Sequence, residues 1–253
     1  MRLAIDAAVK AGKEIMRIYN SPDQDFGIEQ KSDKSPVTLA DKAAHRCITK
    51  HLAPSGIPIL SEEGRAVPYE RRQTWHRVWI VDPLDGTKEF IKKNGEFTVN
   101  IALVEDGNPV LGIIYVPALS ELYVGLVGFM ANKCTGDGVL NFRSMPFLSR
   151  EPRPFTVVAS RSHMTPETEY YIKLMRKEHG EVQVVSRGSS LKFCIVAEGN
   201  ADVYPRLAPT MEWDTAAGDA IARSAGRKVV DAETGRPLTY NKPDLHNPSF
   251  IVS

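Results

Sequence analysis

The first part of the chain combines helical and strand-like patterns of apolar positions. Apolar residues recur at helical spacing in two segments, which are predicted as helices, 2–19 and 39–51. Short apolar runs bounded by glycine, proline or acidic residues predict strands, at 57–60, 78–81, 97–104, 110–116 and 121–127. Asp106-Gly107 is typical of a hairpin turn between two of these strands, because such turns need positive φ angles. The polar segment 28–37 is predicted as a hairpin or loop, so this part is predicted to be α+β.

The pattern changes after the proline-containing segment 150–154. Strands are predicted at 155–159, 182–185 and 201–204, and helices at 166–178, 190–198 and 213–225. Alternation of this kind favours an α/β layer with some parallel strand pairing. We therefore predict an α+β part over 1–150 and an α/β part over 151–253, with a site where the two meet.

Composition excludes several classes of function. The chain has 253 residues, and its 32 basic residues nearly balance 31 acidic ones, so a nucleic acid duplex or a membrane surface is not an expected partner. No apolar run approaches the roughly 18 residues of a transmembrane segment. The N-terminal segment 1–6 carries a charge too early for the apolar core of a secretory signal, so no signal peptide is expected. The three cysteines, Cys47, Cys134 and Cys194, form no CxxC pair and are predicted to be reduced, buried thiols of a cytoplasmic protein.

The most informative segment is Asp82-Pro83-Leu84-Asp85-Gly86-Thr87. It follows the apolar run 78–81, which we expect Pro83 and Gly86 to break, so both aspartates would lie at a strand end. Two carboxylates this close repel each other unless cations lie between them, and oxygen ligands suit Mg²⁺. An aspartate-rich turn that caps a helix is the alternative.

Further acidic residues lie at the ends of predicted elements: Glu62, Glu63, Asp41 and Asp214. An aspartate in a first helical turn also stabilises the helix dipole, which alone would explain Asp41 and Asp214. Together with the paired aspartates, these carboxylates suit a site with two or three Mg²⁺ ions that clamp a phosphoryl group. Free N–H groups at Gly86 and Thr87 would bind a phosphate, and a Thr–Asp pair could deprotonate a water.

The residues that would select a substrate are less distinctive. Ser186-Arg187-Gly188-Ser189-Ser190 precedes a helix and could bind a phosphate through amides, hydroxyls and Arg187, or could simply cap the helix. Lys192 could equally be a solvated helix residue, and Arg206 a surface charge. Phe193 and Trp213 are predicted to lie in the core, and His45 and His51 on the surface of the second helix. No Walker sequence or GxGxxG motif is present, so ATP hydrolysis and hydride transfer have no support.

Three motifs resemble those of the inositol monophosphatase-like superfamily, and the resemblance runs from the first helix through Ser253. The motifs are Glu62-Glu63-Gly64, the 82–87 block and Glu212-Trp213-Asp214-Thr215-Ala216-Ala217-Gly218. The resemblance implies a layered αβαβα sandwich of the inositol monophosphatase / fructose-1,6-bisphosphatase type. It also implies a phosphatase that depends on Mg²⁺ and is sensitive to lithium.

Other segments resemble the CysQ-type 3′(2′),5′-bisphosphate nucleotidases within that superfamily, namely 87–90, 94–100, 186–193, 197–200 and 204–206. Inositol monophosphatases more usually read Asp-Gly-Thr-Thr-Asn-Phe in the first of these segments, so Lys88 and Glu89 favour the nucleotidases. This branch implies release of the 3′-phosphate of adenosine 3′,5′-bisphosphate, a step connected with sulfur assimilation.

The resemblance also implies roles for individual residues. The metal ligands would be Glu62, Asp82, Asp85, Asp214 and the carbonyl of Leu84. Asp41 and Thr87 would hold the nucleophilic water, with Glu63 as a nearby acid. Residues expected around the substrate are Glu62, Leu84, Asp85, Gly86, Thr87, Gly188, Ser189, Ser190, Lys192, Arg206 and Asp214.

Two alternatives to this function stay open. The same catalytic core could act on inositol monophosphate or another small sugar phosphate. A regulator that binds metal and nucleotide without turnover is more distant, since binding alone needs no water-activating pair. A monomer or weak homodimer is expected, and peripheral attachment to the inner face of a membrane, suggested for some relatives, has no visible anchor in the sequence.

Overall fold

The computed structural model describes residues 1–22, 26–31, 35–135, 141–147, 153–160 and 164–253. The helices in these residues are α1 (Arg2–Tyr19), α2 (Leu39–Leu52), α3 (Tyr69–Arg72), α4 (Thr87–Ile91), α5 (Pro166–His179), α6 (Leu191–Glu198) and α7 (Glu212–Ser224). The strands are β1 (Glu29–Gln30), β2 (Pro36–Val37), β3 (Ile59–Ser61), β4 (Arg77–Asp85), β5 (Thr98–Glu105), β6 (Asn108–Val116), β7 (Glu121–Leu126), β8 (Met130–Thr135), β9 (Asn141–Ser144), β10 (Phe155–Ser160), β11 (Val182–Arg187), β12 (Tyr204–Arg206), β13 (Thr210–Met211), β14 (Val229–Asp231), β15 (His246–Asn247) and β16 (Phe250–Val252).

Helices α1 and α2 form the first layer. The buried face of α1 consists largely of small residues, Ala4, Ala7, Ala8, Ala11 and Gly12, and α2 packs against α1. Helix α2 begins at Thr38, whose hydroxyl accepts the N–H of Ala40 at 3.1 Å, and Asp41 completes a capping box. Both helices confirm the prediction from helical spacing.

A seven-stranded sheet forms the second layer, in the order β3-β4-β5-β6-β7-β8-β9. Strands β3 and β4 are parallel and the remaining neighbours are antiparallel. Asp106 and Gly107 connect β5 to β6 with φ angles of 47° and 78°, which confirms the predicted hairpin. Successive side chains of β4 alternate between the two faces, so Trp79 packs with α1 and α2, whereas Ile80 packs in the core that includes α7.

The remaining layers come from the second part of the chain. Helices α6 and α7 lie on the other face of the large sheet, and α6 also contacts β10 and β12. Strands β10 and β11 are parallel, as predicted, and β12, β16 and β14 form an antiparallel group. Helix α5 packs on the outer side of β10, β11 and β12. The described elements therefore stack as helix, sheet, helix, sheet and helix, which confirms the αβαβα fold.

Helix α7 crosses the large sheet where two paired glycines leave room for its backbone. Gly112 of β6 lies opposite Gly125 of β7. A Cβ atom on Gly112 would lie 2.2 Å from a backbone oxygen of α7, and one on Gly125 would lie 2.5 Å from an α7 Cα atom. On the opposite side, a Cβ atom on Gly218 would lie 2.4 Å from the Phe193 ring of α6. These contacts fix the depth of α7, which carries Asp214 in its first turn.

Strand β4 continues past the residue at which we expected it to end. It runs to Asp85, although Pro83 and Gly86 were predicted to break it after 81. Its pairing with β5 shifts register between Asp82 and Asp85. A proline fits at such an irregularity because it has no N–H to donate to the ladder.

Other differences concern short elements and exposure. The strand predicted at 201–204 begins only at Tyr204, and short strands such as β8 and β9 were not predicted because their mixed composition lacks a clear alternation. Cys47 is half-buried rather than buried, whereas Cys134 and Cys194 are buried, and none of the three forms a disulfide. No helix of the described residues is long and apolar enough to cross a membrane. Residues 32–34 of the predicted hairpin and 148–152 of the predicted boundary lie outside the described residues.

Candidate active site

The turn formed by residues 82–87 joins the end of β4 to the start of α4. Asp82 is 1% exposed, and its Oδ1 accepts the backbone N–H of Leu84 at 3.0 Å. Gly86 has a φ of 91°, and a Cβ atom there would lie 3.1 Å from the carbonyl oxygen of Glu96. Glycine meets both conditions without strain. The turn thus brings both aspartates and the first N–H groups of α4 to one end of the sheet.

Glu62 lies beside Asp82 because β3 and β4 are parallel neighbours. Ser61, the last residue of β3, pairs with Val81, and the N–H of Glu62 donates to the Val81 carbonyl at 3.1 Å. Beyond the effect of burial, the carboxylate of Glu62 raises the pKa of Asp82, because the two negative charges lie close together. Strand pairing therefore joins the first two sequence motifs.

Asp214 reaches the same place from the first turn of α7, so Glu62, Asp82, Asp85 and Asp214 form an acidic cluster. Burial raises the pKa of Asp82 well above its usual value, and the other three carboxylates raise it further. Burial and then Asp85 raise the pKa of Asp214 to about 8. Burial also raises the pKa of Glu62, although the ammonium of Lys31 opposes this. The cluster thus binds protons unless another cation offsets its charge.

The donor set at this end of the sheet fits a hard divalent cation. The acidic cluster and the carbonyl of Leu84 offer only oxygen atoms, the ligand type that Mg²⁺ prefers. Across the described ranges, no three His, Cys, Asp or Glu side chains are arranged to hold a metal ion by themselves. Mg²⁺ commonly keeps several waters and shares itself with substrate phosphates, so it does not need a cage made only of protein. Donor chemistry and mutual repulsion therefore both fit Mg²⁺.

Asp41 contacts both the cap of α2 and the site. Its Oδ2 accepts the N–H of Thr38 at 2.8 Å and the hydroxyl of Thr38 at 2.5 Å. Its Oδ1 accepts the hydroxyl of Thr87 at 3.1 Å. Burial raises the pKa of Asp41 despite these bonds, and Glu63 adds to the effect. Asp41 therefore caps α2 through Oδ2 and pairs with Thr87 through Oδ1, so both interpretations of this residue are correct.

Lys31 is a functional-site contact that the sequence did not predict. It follows β1, and its ammonium lies 2.7 Å from Oε1 of Glu62 and also binds Oε1 of Glu63. Burial alone would lower the pKa of Lys31, but the two glutamates outweigh burial and raise it. A polar residue in a hairpin gives no pattern that would indicate this contact, since the two partners lie about thirty residues away along the chain.

The acidic cluster opens into a pocket of about 230 Å³ between the two parts of the chain. The predicted site residues on its wall are Glu62, Asp85, Gly86, Thr87, Gly188, Ser189, Ser190, Lys192, Arg206 and Asp214. Asp41, Asp82 and Leu84 lie behind the wall. The Leu84 carbonyl oxygen lies 3.3 Å from the Thr87 hydroxyl oxygen, slightly farther away than Oδ1 of Asp41 at 3.1 Å. Glu63 does not line the pocket and instead binds Lys31.

Lys192 is buried in the wall of the same pocket, so it is not a solvated helix residue. Only 6% of it is exposed, and its ammonium donates to the carbonyl of Ser189 at 2.5 Å. The ammonium also lies 5.5 Å from the centre of the Tyr204 ring. Burial lowers the pKa of Lys192 to about 8, although Asp85 opposes this. A buried cation in a pocket wall is a candidate partner for an anionic ligand.

Two further polar groups of this wall are buried without a partner. The Ser189 hydroxyl and Nε of Arg206 have no hydrogen bond to any described residue. Nη2 of Arg206 donates to the Pro209 carbonyl at 3.1 Å, which orients the guanidinium. Buried donors without acceptors are destabilising, and guanidinium and hydroxyl groups bind phosphate oxygens well. We call Ser189, Lys192 and Arg206 the basic wall.

Ser190 and Arg187 differ from the sequence-based interpretation. The Ser190 hydroxyl makes no cap bond to α6 and instead donates to Oδ2 of Asp85 at 2.6 Å. Arg187 donates to the carbonyl of Ser186 and lines a separate cavity that also contains Glu198. The expectation that Arg187 binds phosphate in this pocket is therefore wrong.

The aromatic and histidine predictions hold only in part. Phe193 is buried in the core, as expected, and one edge of it also lines the pocket. Trp213 is only partly buried against the same core. His45 and His51 are half-buried rather than on the surface, and Nδ1 of His45 lies 2.9 Å from the Ser61 hydroxyl, beside the acidic cluster.

Known proteins resemble this chain over nearly its whole length. The Inositol monophosphatase family matches residues 1–251. The 3'(2'),5'-bisphosphate nucleotidase CysQ of Escherichia coli (strain K12) is 47% identical over 251 residues, which cover 97% of this chain and 96% of that protein. The crystal structure of CysQ from Bacteroides thetaiotaomicron is 54% identical with a TM-score of 0.91, covering 100% and 96% of the two chains. The extragenic suppressor protein SuhB from Bartonella henselae is 28% identical with a TM-score of 0.79, covering 100% and 93%.

Proposed function

This chain belongs to the inositol monophosphatase family, and we propose that it hydrolyses adenosine 3′,5′-bisphosphate to AMP and phosphate. The observation that carries the proposal is the pocket itself, which the acidic cluster and the basic wall line together. A substrate with two phosphates has one for each side. The similarity to CysQ nucleotidases over nearly the full length of both chains supports this choice within the family.

The acidic cluster would hold Mg²⁺ through Glu62, Asp82, Asp85 and Asp214, with the carbonyl of Leu84. We propose two or three ions, which when bound lower the pKa of water and offset the charge of the phosphoryl group. Asp82 is oriented for this role by the Leu84 N–H on its Oδ1. Asp85 is oriented by the Ser190 hydroxyl on its Oδ2.

The Thr87–Asp41 pair would remove the proton from the attacking water. Because the Thr87 hydroxyl donates its hydrogen to Asp41, its lone pairs can accept a hydrogen bond from water. As the water loses a proton to Thr87, the Thr87 proton can pass to Oδ1 of Asp41. The raised pKa of Asp41 makes its carboxylate a stronger base. Water attacks phosphorus directly in this scheme, and the O3′–phosphorus bond breaks without a phosphoenzyme.

The basic wall would hold the second phosphate and the nucleoside. The ammonium of Lys192 supplies charge, whereas Ser189 and Arg206 supply donors that are otherwise unpaired in the described structure. Gly188 fits close to Glu96, whose carboxylate accepts its N–H at 2.7 Å. Gly86 and Thr87 would contact the scissile phosphate through their N–H groups.

A phosphate-release assay with Mg²⁺ tests the proposal. Adenosine 3′,5′-bisphosphate should give a higher kcat/KM than inositol 1-phosphate, because only the former has a phosphate for the basic wall. A preference for inositol 1-phosphate would support the alternative phosphatase and overturn this substrate assignment. If neither substrate releases phosphate with any divalent metal, the result would favour a binding protein without turnover.

The same assay tests the finer proposals on cations. Activity should require Mg²⁺ and decrease when LiCl is added, with NaCl as the matched control for ionic strength. Equal activity after removal of divalent metal with a chelator would contradict the metal assignment. Cytoplasmic location and a monomer or weak homodimer stay predictions of the sequence.

A further inference from the structure

A chain of buried hydrogen bonds leads from the large sheet to Asp85. Thr98, Asn100 and Ser190 are at most 2% exposed. The Thr98 hydroxyl donates to Oδ1 of Asn100 at 2.9 Å, and Nδ2 of Asn100 donates to the Ser190 hydroxyl at 2.8 Å. The Ser190 hydroxyl in turn donates to Oδ2 of Asp85 at 2.6 Å. The chain thus joins β5, the start of α6 and the end of β4.

Along this series of hydrogen bonds, each group donates toward Asp85. Because Thr98 donates to the amide oxygen of Asn100, the amide NH₂ must face Ser190 and Asp85. Because Asn100 donates to the Ser190 oxygen, the one Ser190 hydrogen is left for another acceptor, and Oδ2 of Asp85 at 2.6 Å is nearer than the Asp214 carbonyl at 3.0 Å. Nδ2 of Asn100 lies 3.3 Å from the same Oδ2 of Asp85. Two neutral donors therefore converge on one oxygen of Asp85 and leave its other oxygen to the pocket.

We propose that Asn100 is a positioning residue that orients Asp85 for Mg²⁺ through Ser190. This inference rests on the proposed function, in which Asp85 is a metal ligand. It assigns Ser190 to the metal side of the pocket, although Ser190 was expected to contact the nucleotide. The Ser190 hydroxyl also lies 3.0 Å from the backbone carbonyl of Asp214. Ser190 therefore links two members of the acidic cluster to the start of α6.

The first experiment measures Mg²⁺ binding by titration calorimetry, with Mg²⁺ alone and no substrate. Asn100→Ala should bind Mg²⁺ about tenfold more weakly than the wild type, the usual range for loss of an outer-shell partner being about 10–100-fold. Ser190→Ala should have a similar effect, and the double variant should be no worse than the weaker-binding single variant, since both act through one oxygen. Wild-type affinity in folded Asn100→Ala would overturn the proposal.

A matched pair at Thr98 separates positioning from packing. Thr98→Val keeps the buried volume but removes the hydroxyl that orients Asn100, whereas Thr98→Ser keeps the hydroxyl and removes a methyl group. Thr98→Val should weaken Mg²⁺ binding about threefold, the size of one neutral hydrogen bond, and Thr98→Ser should retain it. An equal loss of Mg²⁺ affinity in both Thr98 variants, or a loss of affinity in Thr98→Ser alone, would overturn the proposal. This pair also decides the question if Asn100→Ala does not fold.

Kinetics with adenosine 3′,5′-bisphosphate add a second readout. Asn100→Ala should lower kcat at a fixed Mg²⁺ concentration and leave KM for the nucleotide unchanged, because the basic wall is untouched. A rise in KM with unchanged kcat would assign the chain of hydrogen bonds to substrate binding instead. If the wild type binds Mg²⁺ but does not hydrolyse the nucleotide, the proposed substrate fails while the binding test still decides the role of Asn100. If the wild type binds no Mg²⁺, both proposals fail.

Discussion

The acidic cluster and the basic wall line one pocket and show opposite effects of burial. In the acidic cluster, burial and like charges raise the pKa of Asp82 and Asp214. In the basic wall, burial lowers the pKa of Lys192, and donors of Ser189 and Arg206 have no partner in the described structure. The acidic side therefore favours a bound cation, and the basic side favours a bound anion. A phosphorylated ligand that arrives with Mg²⁺ would satisfy both.

This comparison separates the residues that would carry out hydrolysis from the residues that would determine substrate specificity. Residues that would activate water and hold metal lie on the acidic side, at the ends of β3 and β4 and in the first turns of α2, α4 and α7. Residues that would distinguish one phosphorylated substrate from another lie on the basic side. Changes on the acidic side should therefore lower kcat, whereas changes on the basic side should mainly raise KM.

The largest effect is expected for Asp82→Asn. This change removes a charge from the acidic cluster but keeps an oxygen for the Leu84 N–H. Phosphate release should fall by more than about a hundredfold, beyond the usual effect of losing an outer-shell partner. Without Mg²⁺, the variant should unfold at a higher temperature than the wild type, because buried like-charge repulsion is relieved.

The matched control for that variant is Asp106→Asn in the exposed hairpin turn. Its φ of 47° is one that asparagine accepts, so stability and turnover should stay close to those of the wild type. Appreciable turnover by Asp82→Asn with Mg²⁺ present would contradict the role of the acidic cluster.

Thr87→Val should have the next largest effect. Valine keeps the shape of the side chain but removes the hydroxyl that lies between water and Asp41. We expect kcat to fall by about a hundredfold, the lower end of the range for general acid–base catalysis, with little change in KM. Thr87→Ser restores a hydroxyl and should recover most of the rate. A variant that loses affinity for substrate but not kcat would place Thr87 on the binding side.

Lys192→Met tests the basic side. Loss of a charged hydrogen-bond donor should raise KM for adenosine 3′,5′-bisphosphate by about tenfold or more, and should hardly affect hydrolysis of inositol 1-phosphate. The free protein should become more stable by up to about 3 kcal/mol at pH 7, because burial lowers the pKa of Lys192 from 10.5 to about 8. Lys177→Met on the exposed face of α5 is the control. Equal losses with both substrates would contradict separate roles for the two sides.

The smallest expected effect is a pH dependence. The pKa of Lys192 is lowered to about 8, so in the free protein its ammonium loses its proton above that pH. Since kcat/KM reports the free enzyme, kcat/KM for adenosine 3′,5′-bisphosphate should decline above about pH 8. Because the folded pKa lies below the unfolded value, stability should rise as pH increases from about 8 toward 10.5. Both changes should be absent in Lys192→Met.

The acidic side could be predicted from local sequence pattern, whereas the basic side was expected only from the family resemblance. Asp82 and Asp85 follow an apolar run and precede a glycine, so their position at a strand end follows from local pattern alone. The burial of Lys192 depends on tertiary packing around the start of α6, including the Tyr204 ring, and no local pattern encodes it. The contact of Lys31 with Glu62 and Glu63 is non-local for the same reason.

The fold shows a similar division. Long periodic segments such as α1 and α2 were predicted to within one residue at their ends. Strands β8 and β9 were missed because they are short, mix polar with apolar residues and lie toward the edge of the sheet. Strand β4 was predicted too short because local rules place a break at Pro83, whereas pairing with β5 tolerates a register shift there. The division into parts at 150 stays a prediction.

The paired glycines Gly112 and Gly125 connect the interior of the sheet to the chemistry of Asp214. A single methyl group on either glycine would act as a wedge beneath the helix and displace the carboxylate at its end. We therefore expect variants that keep this activity to retain glycine at positions 112 and 125.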